Sequence, residues 1–294
     1  MSLRPTLLAD AQRRPRRVAV GEFDGVHLGH REVIRGSDTV LTFDPHPRAV
    51  VAPGAAPKLL TTTEAKAELV KDLGVVELVV IPFDAKLAAR GAEDFIEDVL
   101  IGRLAATQVS VGENFRFGHR AQGDAALLAE QTAFRTRVAP LVELEGEIVS
   151  SSHIRGLIAA GDVETAGRLL GAPFALRGTV VGGDRRGRTL GVPTANLVPD
   201  ERLAYPGHGV YACVADGAVP AAVNVGVRPQ FQTGRGTLIE AHLIDWHGDL
   251  YGRDLKLEFI ARLRGERRFD TVEALVEQMH LDIDTARDLV SARR

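Results

Sequence analysis

Near residue 174 the chain changes texture, and that change restricts the fold more than any single motif does. Before it, apolar runs alternate with amphipathic stretches. The segments from Val18 to Val20, Thr39 to Phe43, Val75 to Ile81 and Gln108 to Val111 read as strands. Uninterrupted apolar runs suit strands buried on both faces, and a βαβα order implies a parallel sheet with right-handed crossovers. After it come short strands divided by glycine turns: Ala175 to Val181, Gly209 to Ala215, Ala221 to Val225, Thr237 to Asp245 and Leu255 to Leu263. That spacing predicts a small closed or Greek-key barrel. Two domains are expected, 1–172 and 173–294, with Gly171 and Pro173 at the seam.

Between the first strands lie predicted helices. One runs from Arg31 to Arg35. Thr61 and Glu64 make a capping-box pattern for a helix whose apolar face is Ala65, Leu69, Val70 and Leu73, stopped by Gly74. Further helices are expected from Ala92 to Leu104, Asp124 to Phe134, Ser152 (as cap) to Ala160, and Val163 to Leu170. A last helix starts at Asp270 with Glu273 completing its cap. Its stripe of Val272, Leu275, Val276, Met279, Ile283, Ala286 and Leu289 should pack on the barrel.

The 294 residues carry a formal net charge of -3, which gives no sign of a dedicated nucleic-acid binder. The knot of Arg13, Arg14, Arg16 and Arg17 reads as a solvated lead-in to the first strand. Cys213 is the only cysteine, so an intrachain disulfide is excluded, and its strand-like setting suits a small core residue. No apolar run reaches the ~18 residues of a membrane span, and no signal-peptide segment leads the chain. A cytoplasmic protein, monomeric or weakly self-associating, is expected.

Two stretches carry chemistry. In Val18-Ala-Val-Gly-Glu-Phe-Asp-Gly-Val-His-Leu-Gly-His30 a strand breaks at a glycine turn, and His30 sits where a helix should begin. Free amides and the positive end of a helix dipole favour an anion there, and two imidazoles three apart suit a polyphosphate. A zinc site is the weaker alternative: it needs a third and fourth ligand at sensible spacing, and His46 is the nearest spare histidine. Val149-Ser-Ser-Ser-His-Ile-Arg155 adds hydroxyls and a guanidinium at a loop-to-helix junction; Ser152 and Arg155 could hold phosphate oxygens. In Gly112-Glu-Asn-Phe-Arg-Phe-Gly118, Asn114 could bond a phosphate or ribose, and Phe115 and Phe117 could flank a flat ring or fill the core. The second stretch, Gly182 to Asn196, is rich in glycine and arginine but is not a Walker A loop.

These segments together resemble a family. Gly-Glu-Phe-Asp-Gly-Val-His-Leu-Gly-His (21–30), Phe-Asp-Pro-His-Pro (43–47), Gly-Glu-Asn-Phe-Arg-Phe-Gly (112–118) and Ser-Ser-Ser-His-Ile-Arg (150–155) are similar to the FAD synthetase module of bacterial bifunctional riboflavin kinase/FAD synthetases. Pro-Thr-Ala-Asn (193–196), Asn224 to Pro229 and Ile239 to Gly252 resemble the riboflavin kinase module. The resemblance implies a Rossmann-like HxGH nucleotidyltransferase followed by a riboflavin kinase-like antiparallel barrel. It implies phosphorylation of riboflavin to FMN, then adenylylation of FMN to FAD, each with ATP and Mg²⁺.

By the same resemblance, His27 and His30 would serve adenylyl transfer and Glu240 would be the kinase base. Nucleotide contacts are implied at Gly21, Phe23, Asp24, Gly25, Asn114, Ser152 and Arg155, and at Gly183, Arg188, Thr194 and Asn196. Thr194 and Asn196 would also hold Mg²⁺. From alternation alone, Glu240 could equally be an outward strand residue, and the loop from Arg264 to Arg268 could be basic lining or plain solvated surface. One departure stands out: only 11 residues separate His30 from Thr42, where the family has a longer first helix. A kinase with an impaired adenylyl module, or a non-catalytic flavin-binding regulator, are the competing readings.

Overall fold

The computed structural model describes residues 3–182, 191–227 and 237–293. By its internal contacts the chain divides into two compact units, Met1–Ser151 and Ser152–Arg294.

The first unit is built on six strands: β1 (Pro5–Leu7), β2 (Arg16–Val20), β3 (Thr39–Asp44), β4 (Glu77–Pro82), β5 (Ala106–Gly112) and β6 (Arg135–Ala139). They pair in the order β1-β4-β3-β2-β5-β6, every pairing parallel. Side chains alternate across a strand, so Val18 and Val20 enter one core with Leu41, Val79 and Val109, while Ala19 enters the other with Val40, Leu78 and Val70. β2 pairs with β3 on one side and β5 on the other, and the chain leaves these two strands in opposite directions. Their carboxyl ends therefore border the crevice where open α/β sheets hold ligands.

Several predicted boundaries move. The first helix, α1, is Leu28–Ile34 with His27 as its N-cap, so His30 lies within the first turn and not at the start. The next, α2 (Thr63–Lys71), is capped by Thr62 and not Thr61. Its buried face is Lys66, Ala67 and Val70, while Leu73 is exposed. From Ala92 only the turn to Phe95 is α-helical; Ile96–Arg103 is wound as a π-helix, with Leu104 N donating to Val99 O. That wide turn brings Glu97 O to 2.9 Å from where a Cβ of residue 102 would stand, which glycine alone tolerates. The helix after Asp124 spans only Ala125–Ala129, because Thr136 Oγ1 and the Gln131 amide bond its last carbonyls, at Leu128 and Leu127.

The arginine knot is not simply solvated. Arg16 is buried in β2, where Nε and Nη2 grip the Glu77 carboxylate at 2.8 and 3.0 Å and the remaining donors reach Gln12 O, Arg14 O and Leu104 O.

The helix α3 (Ser151–Ala160) begins one residue before the expected cap, so Ser152 sits inside its first turn. It is followed by α4 (Val163–Leu170). The second unit then closes six strands into an antiparallel barrel: β7 (Phe174–Val181), β8 (Ala195–Pro199), β9 (Gly209–Ala215), β10 (Val219–Val227), β11 (Thr237–Leu243) and β12 (Asp254–Arg264), in the order β7-β8-β11-β10-β9-β12. Five were legible; β8 hid inside the Pro-Thr-Ala-Asn segment. Cys213 is buried between strands, and burial pushes its thiol well above the usual range, consistent with an inert core residue.

The last helix, α5 (Val272–Ser291), takes its cap from Thr271 and not Asp270. Ile283, Ala286 and Val290 pack on Ala212, Ala222 and Ile260 of the barrel's outer face. Val272 and Leu289 of the predicted stripe are exposed. Arg264, from the loop expected to be lining or surface, forms a bidentate pair with Asp282 of α5 at 2.8 to 3.1 Å.

Candidate functional site

In the first unit the site grows from the end of β2. Phe23 and Val26 both hold positive φ, 50° and 43°, a conformation costing a non-glycine residue about 1–2 kcal/mol. Such strain persists only where surroundings over-determine the loop, and here they do. The buried Asp24 carboxylate accepts from Leu60 N at 2.8 Å and Thr61 N at 3.0 Å. Gly25 N donates to Thr61 Oγ1 at 3.1 Å, Ser151 Oγ donates to Asp24 O at 2.9 Å, and Val26 N donates to Phe23 O at 3.1 Å. Phe23 is itself buried and meets the His30 ring edge-on at 5.3 Å. Gly21 N is tied to Leu41 O, and a Cβ on Gly21 would crowd the Phe23 ring at 3.1 Å.

The loop delivers His27 to the start of α1. His27 Nδ1 accepts from His30 N at 3.3 Å, capping the helix. A neutral ring that accepts at Nδ1 carries its proton on Nε2. The His27 and His30 rings stack at 3.5 Å, 19° from parallel. Stacked imidazoles at a helix N-terminus gather donors where an anion is favoured.

α1 is short, and an isolated helix of seven residues is marginal. Its end is held by the sheet: Ser110 Oγ donates to Val33 O at 2.7 Å, Arg137 Nη1 donates to Glu32 O at 2.8 Å, and Arg137 pairs with the Glu32 carboxylate. These contacts come from β5 and β6, on the far side of the crevice.

The loop after β5 carries Asn114, which is exposed. Phe117 is buried against Phe95, and Phe115 stacks on Phe117 at 5.5 Å while packing against the same core. His46, the spare histidine of the zinc alternative, caps Pro47–Val51 by accepting from Arg48 N. Among the described residues no three His, Cys, Asp or Glu side chains gather as metal ligands.

Beneath the loop lies a buried polar cluster that sequence reasoning missed. Lys66 is buried, and Nζ donates to Glu22 O at 2.5 Å and to Thr42 Oγ1 at 3.0 Å. Thr42 Oγ1 donates in turn to Glu22 O at 3.0 Å. Burial pushes the Glu22 carboxyl up to about 8, opposed by Lys66 and assisted by Asp24 and Asp44. Burial also lowers the Lys66 ammonium, against the pull of the same carboxylates. A signal for Lys66 lies in its helix register, one turn before the buried Val70.

In the barrel, Glu240 lies on β11 between Asn196 of β8 and Asn224 of β10, both its Cα partners. Ile239 and Ala241 point into the core, so Glu240 faces outward, half-buried, and Asn224 Nδ2 donates to Glu240 Oε2 at 3.4 Å. His242, next on that face, bonds Pro193 O through Nδ1 at 2.8 Å and so fastens the segment that carries Thr194 and Asn196. Gly183 and Arg188 lie outside the described residues.

The chain matches two family models: FAD synthetase over residues 9–153 and riboflavin kinase over 170–290. It is 35% identical to the bifunctional riboflavin kinase/FMN adenylyltransferase of Escherichia coli K12, covering 92% of this chain and 91% of that protein. The Bacillus subtilis protein of the same name is 37% identical, over 90% and 89%. A crystal structure described as a macrolide-efflux protein from Streptococcus pneumoniae superposes with a TM-score of 0.87 at 31% identity, covering 96% of this chain and 98% of that one. Among the described residues, no helix of this chain is long and apolar enough to cross a membrane.

Proposed function

The chain belongs to the bifunctional riboflavin kinase/FMN adenylyltransferase family, and on that footing we propose which residues carry its two reactions. It phosphorylates riboflavin to FMN and adenylylates FMN to FAD, with ATP as co-substrate.

Adenylyl transfer belongs to the loop from Gly21 to His30. A phosphate oxygen of FMN attacks the α-phosphorus of ATP, the bond to the bridging oxygen breaks, and pyrophosphate leaves; no covalent enzyme intermediate is needed. His27 and His30 donate hydrogen bonds to the α-phosphate oxygens as charge builds there. Gly21, Phe23 and Gly25 frame the nucleotide with their backbone, and Asp24 acts by bracing the loop. Asn114 bonds the ribose or a phosphate. Ser152 and Arg155 are assigned by the Ser-Ser-Ser-His-Ile-Arg motif to the departing pyrophosphate. The observation that supports this reading is the His27–His30 stack on the first turn of α1.

Phosphorylation belongs to the barrel. Glu240 takes the proton from the riboflavin hydroxyl as it attacks the γ-phosphorus, with Asn224 orienting the carboxylate. The Thr194 hydroxyl and the Asn196 amide oxygen are hard, neutral donors, and few such ligands suit Mg²⁺ held mainly by phosphates. Bound there, Mg²⁺ supplies charge neutralisation for the transferring phosphoryl group. Gly183 and Arg188 are assigned to the nucleotide by motif alone.

Residues 1–172 are assigned to adenylyl transfer and 173–294 to phosphorylation. The chain is assigned to the cytoplasm, as a monomer or weak homo-oligomer. The test is product chromatography from riboflavin, ATP and Mg²⁺. His30→Ala should stop at FMN; Glu240→Gln should make FMN at least ~100-fold more slowly yet convert supplied FMN to FAD. Loss of both activities in either folded variant would sink the division of labour.

A further inference from the structure

We infer that Lys66 is a positioning residue for adenylyl transfer: its buried ammonium fastens the carbonyl of Glu22, and through it the strained turn that presents His27. The inference rests on the assignment of adenylyl transfer to this loop.

Three groups meet at one atom. Lys66 Nζ donates to Glu22 O at 2.5 Å, Thr42 Oγ1 donates to the same oxygen at 3.0 Å, and Lys66 Nζ also donates to Thr42 Oγ1 at 3.0 Å. This triangle joins α2 and β3 to the residue that follows Gly21. The next residue, Phe23, carries φ 50°; its carbonyl holds Val26 N, and Val26 at φ 43° leads directly into His27. Glu22 O is thus fixed one peptide before the first strained residue. The Asp24 carboxylate, bound to Leu60 N and Thr61 N, fixes the turn from its other side. Neither the hydrophobic core nor α2 itself needs a cation at 66, since a methionine would fill the same apolar stem space. Burying an ammonium is costly unless it is hydrogen-bonded, and here its bonds run to Glu22 O and Thr42 Oγ1.

A competing role is charge balance alone. The Glu22 carboxyl lies in the same pocket, its Oε1 shielded from solvent and without a hydrogen-bond partner in this structure. Were Lys66 present only to neutralise that carboxyl, removing the charge of Glu22 would make Lys66 dispensable. The carbonyl contact, by contrast, survives any change of the Glu22 side chain.

The experiment measures FMN and FAD formation separately in the full chain, with amide hydrogen exchange across residues 16–112 reporting that the first unit is folded. Lys66→Met should lower the adenylylation kcat at least tenfold, leave the KM for FMN within about twofold and leave FMN formation unchanged. Adding Glu22→Gln to Lys66→Met should not restore the rate. Thr42→Val, nearly isosteric, should give a smaller loss of the same kind and serves if Lys66→Met does not fold. Wild-type kcat in the folded variants, or restoration by Glu22→Gln, overturns the inference. If Lys66→Met loses FAD formation while His30→Ala retains it, the assignment of the loop falls, and the inference with it.

Discussion

A Cβ on Gly29 would stand 3.2 Å from Cε1 and 3.3 Å from Nδ1 of the His27 ring, and 3.5 Å from the carbonyl of Val149. The ring rests on a bare helical turn, and the glycine between the two histidines is what leaves it room. Gly29→Ala would push the imidazole a few tenths of an ångström off the N-terminus of α1. Misplacing a positioned group on that scale costs roughly tenfold or more in rate. The FAD-forming kcat should fall by about that factor, with FMN formation untouched. Equal rates of FAD formation in Gly29→Ala and wild type would show that the ring does not need its present seat.

The departure that most threatened the adenylyl site was the short α1, and the structure supplies the compensation. Ser110 and Arg137 bond the carbonyls of Val33 and Glu32, so the helix end is held by two sheet strands. Arg137→Met removes a charge-assisted bond worth about 1.5–3 kcal/mol. Amides of residues 31–36 should then exchange with solvent faster, and FAD formation should drop more than FMN formation. Unaltered exchange at those amides would mean that α1 stands without this support.

What the sequence disclosed and what it withheld divide along physical lines. The run from Val75 to Ile81, apolar but for Glu77, announced a buried parallel strand, and the glycine-spaced segments announced the barrel, because period and punctuation are local signals. The strand Ala195–Pro199 was hidden, since it is only five residues long, carries Asn196 and Pro199 among its apolar residues, and pairs with β7 and β11 across long stretches of chain. His27, His30 and Glu240 were legible as chemistry-bearing residues. Lys66, Glu22, Thr42 and Thr61 were not: their roles are contacts to backbone atoms 20 to 44 residues away, which no spacing rule encodes. Arg16 was misread for the same reason, its partner Glu77 being 61 residues distant.

The kinase base makes a separable prediction. Glu240 accepts from Asn224 at 3.4 Å on a rigid strand. Glu240→Gln should lower riboflavin phosphorylation by at least ~100-fold, the usual range for a lost general base. Asn224→Ala, which frees the carboxylate to rotate, should cost about tenfold in kcat. Both should leave conversion of supplied FMN to FAD intact. A Glu240→Gln enzyme that phosphorylates riboflavin normally would remove the carboxylate from its role.

The Arg16–Glu77 pair predicts how the first unit responds to acid. Hydrogen bonds and charge from Arg16, reinforced by Arg14, hold the Glu77 carboxyl below its ordinary value despite partial burial. A group whose folded pKa is depressed adds stability that is present above its unfolded value, near 4.5, and is lost as pH falls through the folded value. The share of stability that this pair contributes, read as the difference in urea midpoint between wild type and Glu77→Gln, should therefore hold steady above about pH 5 and decline below it. Glu77→Gln should cost about 3 kcal/mol at pH 7, because the buried guanidinium loses its charge partner. It should also flatten the acid limb, the remaining carboxylates setting what slope is left. An acid limb as steep in Glu77→Gln as in wild type would assign the acid sensitivity to other carboxylates.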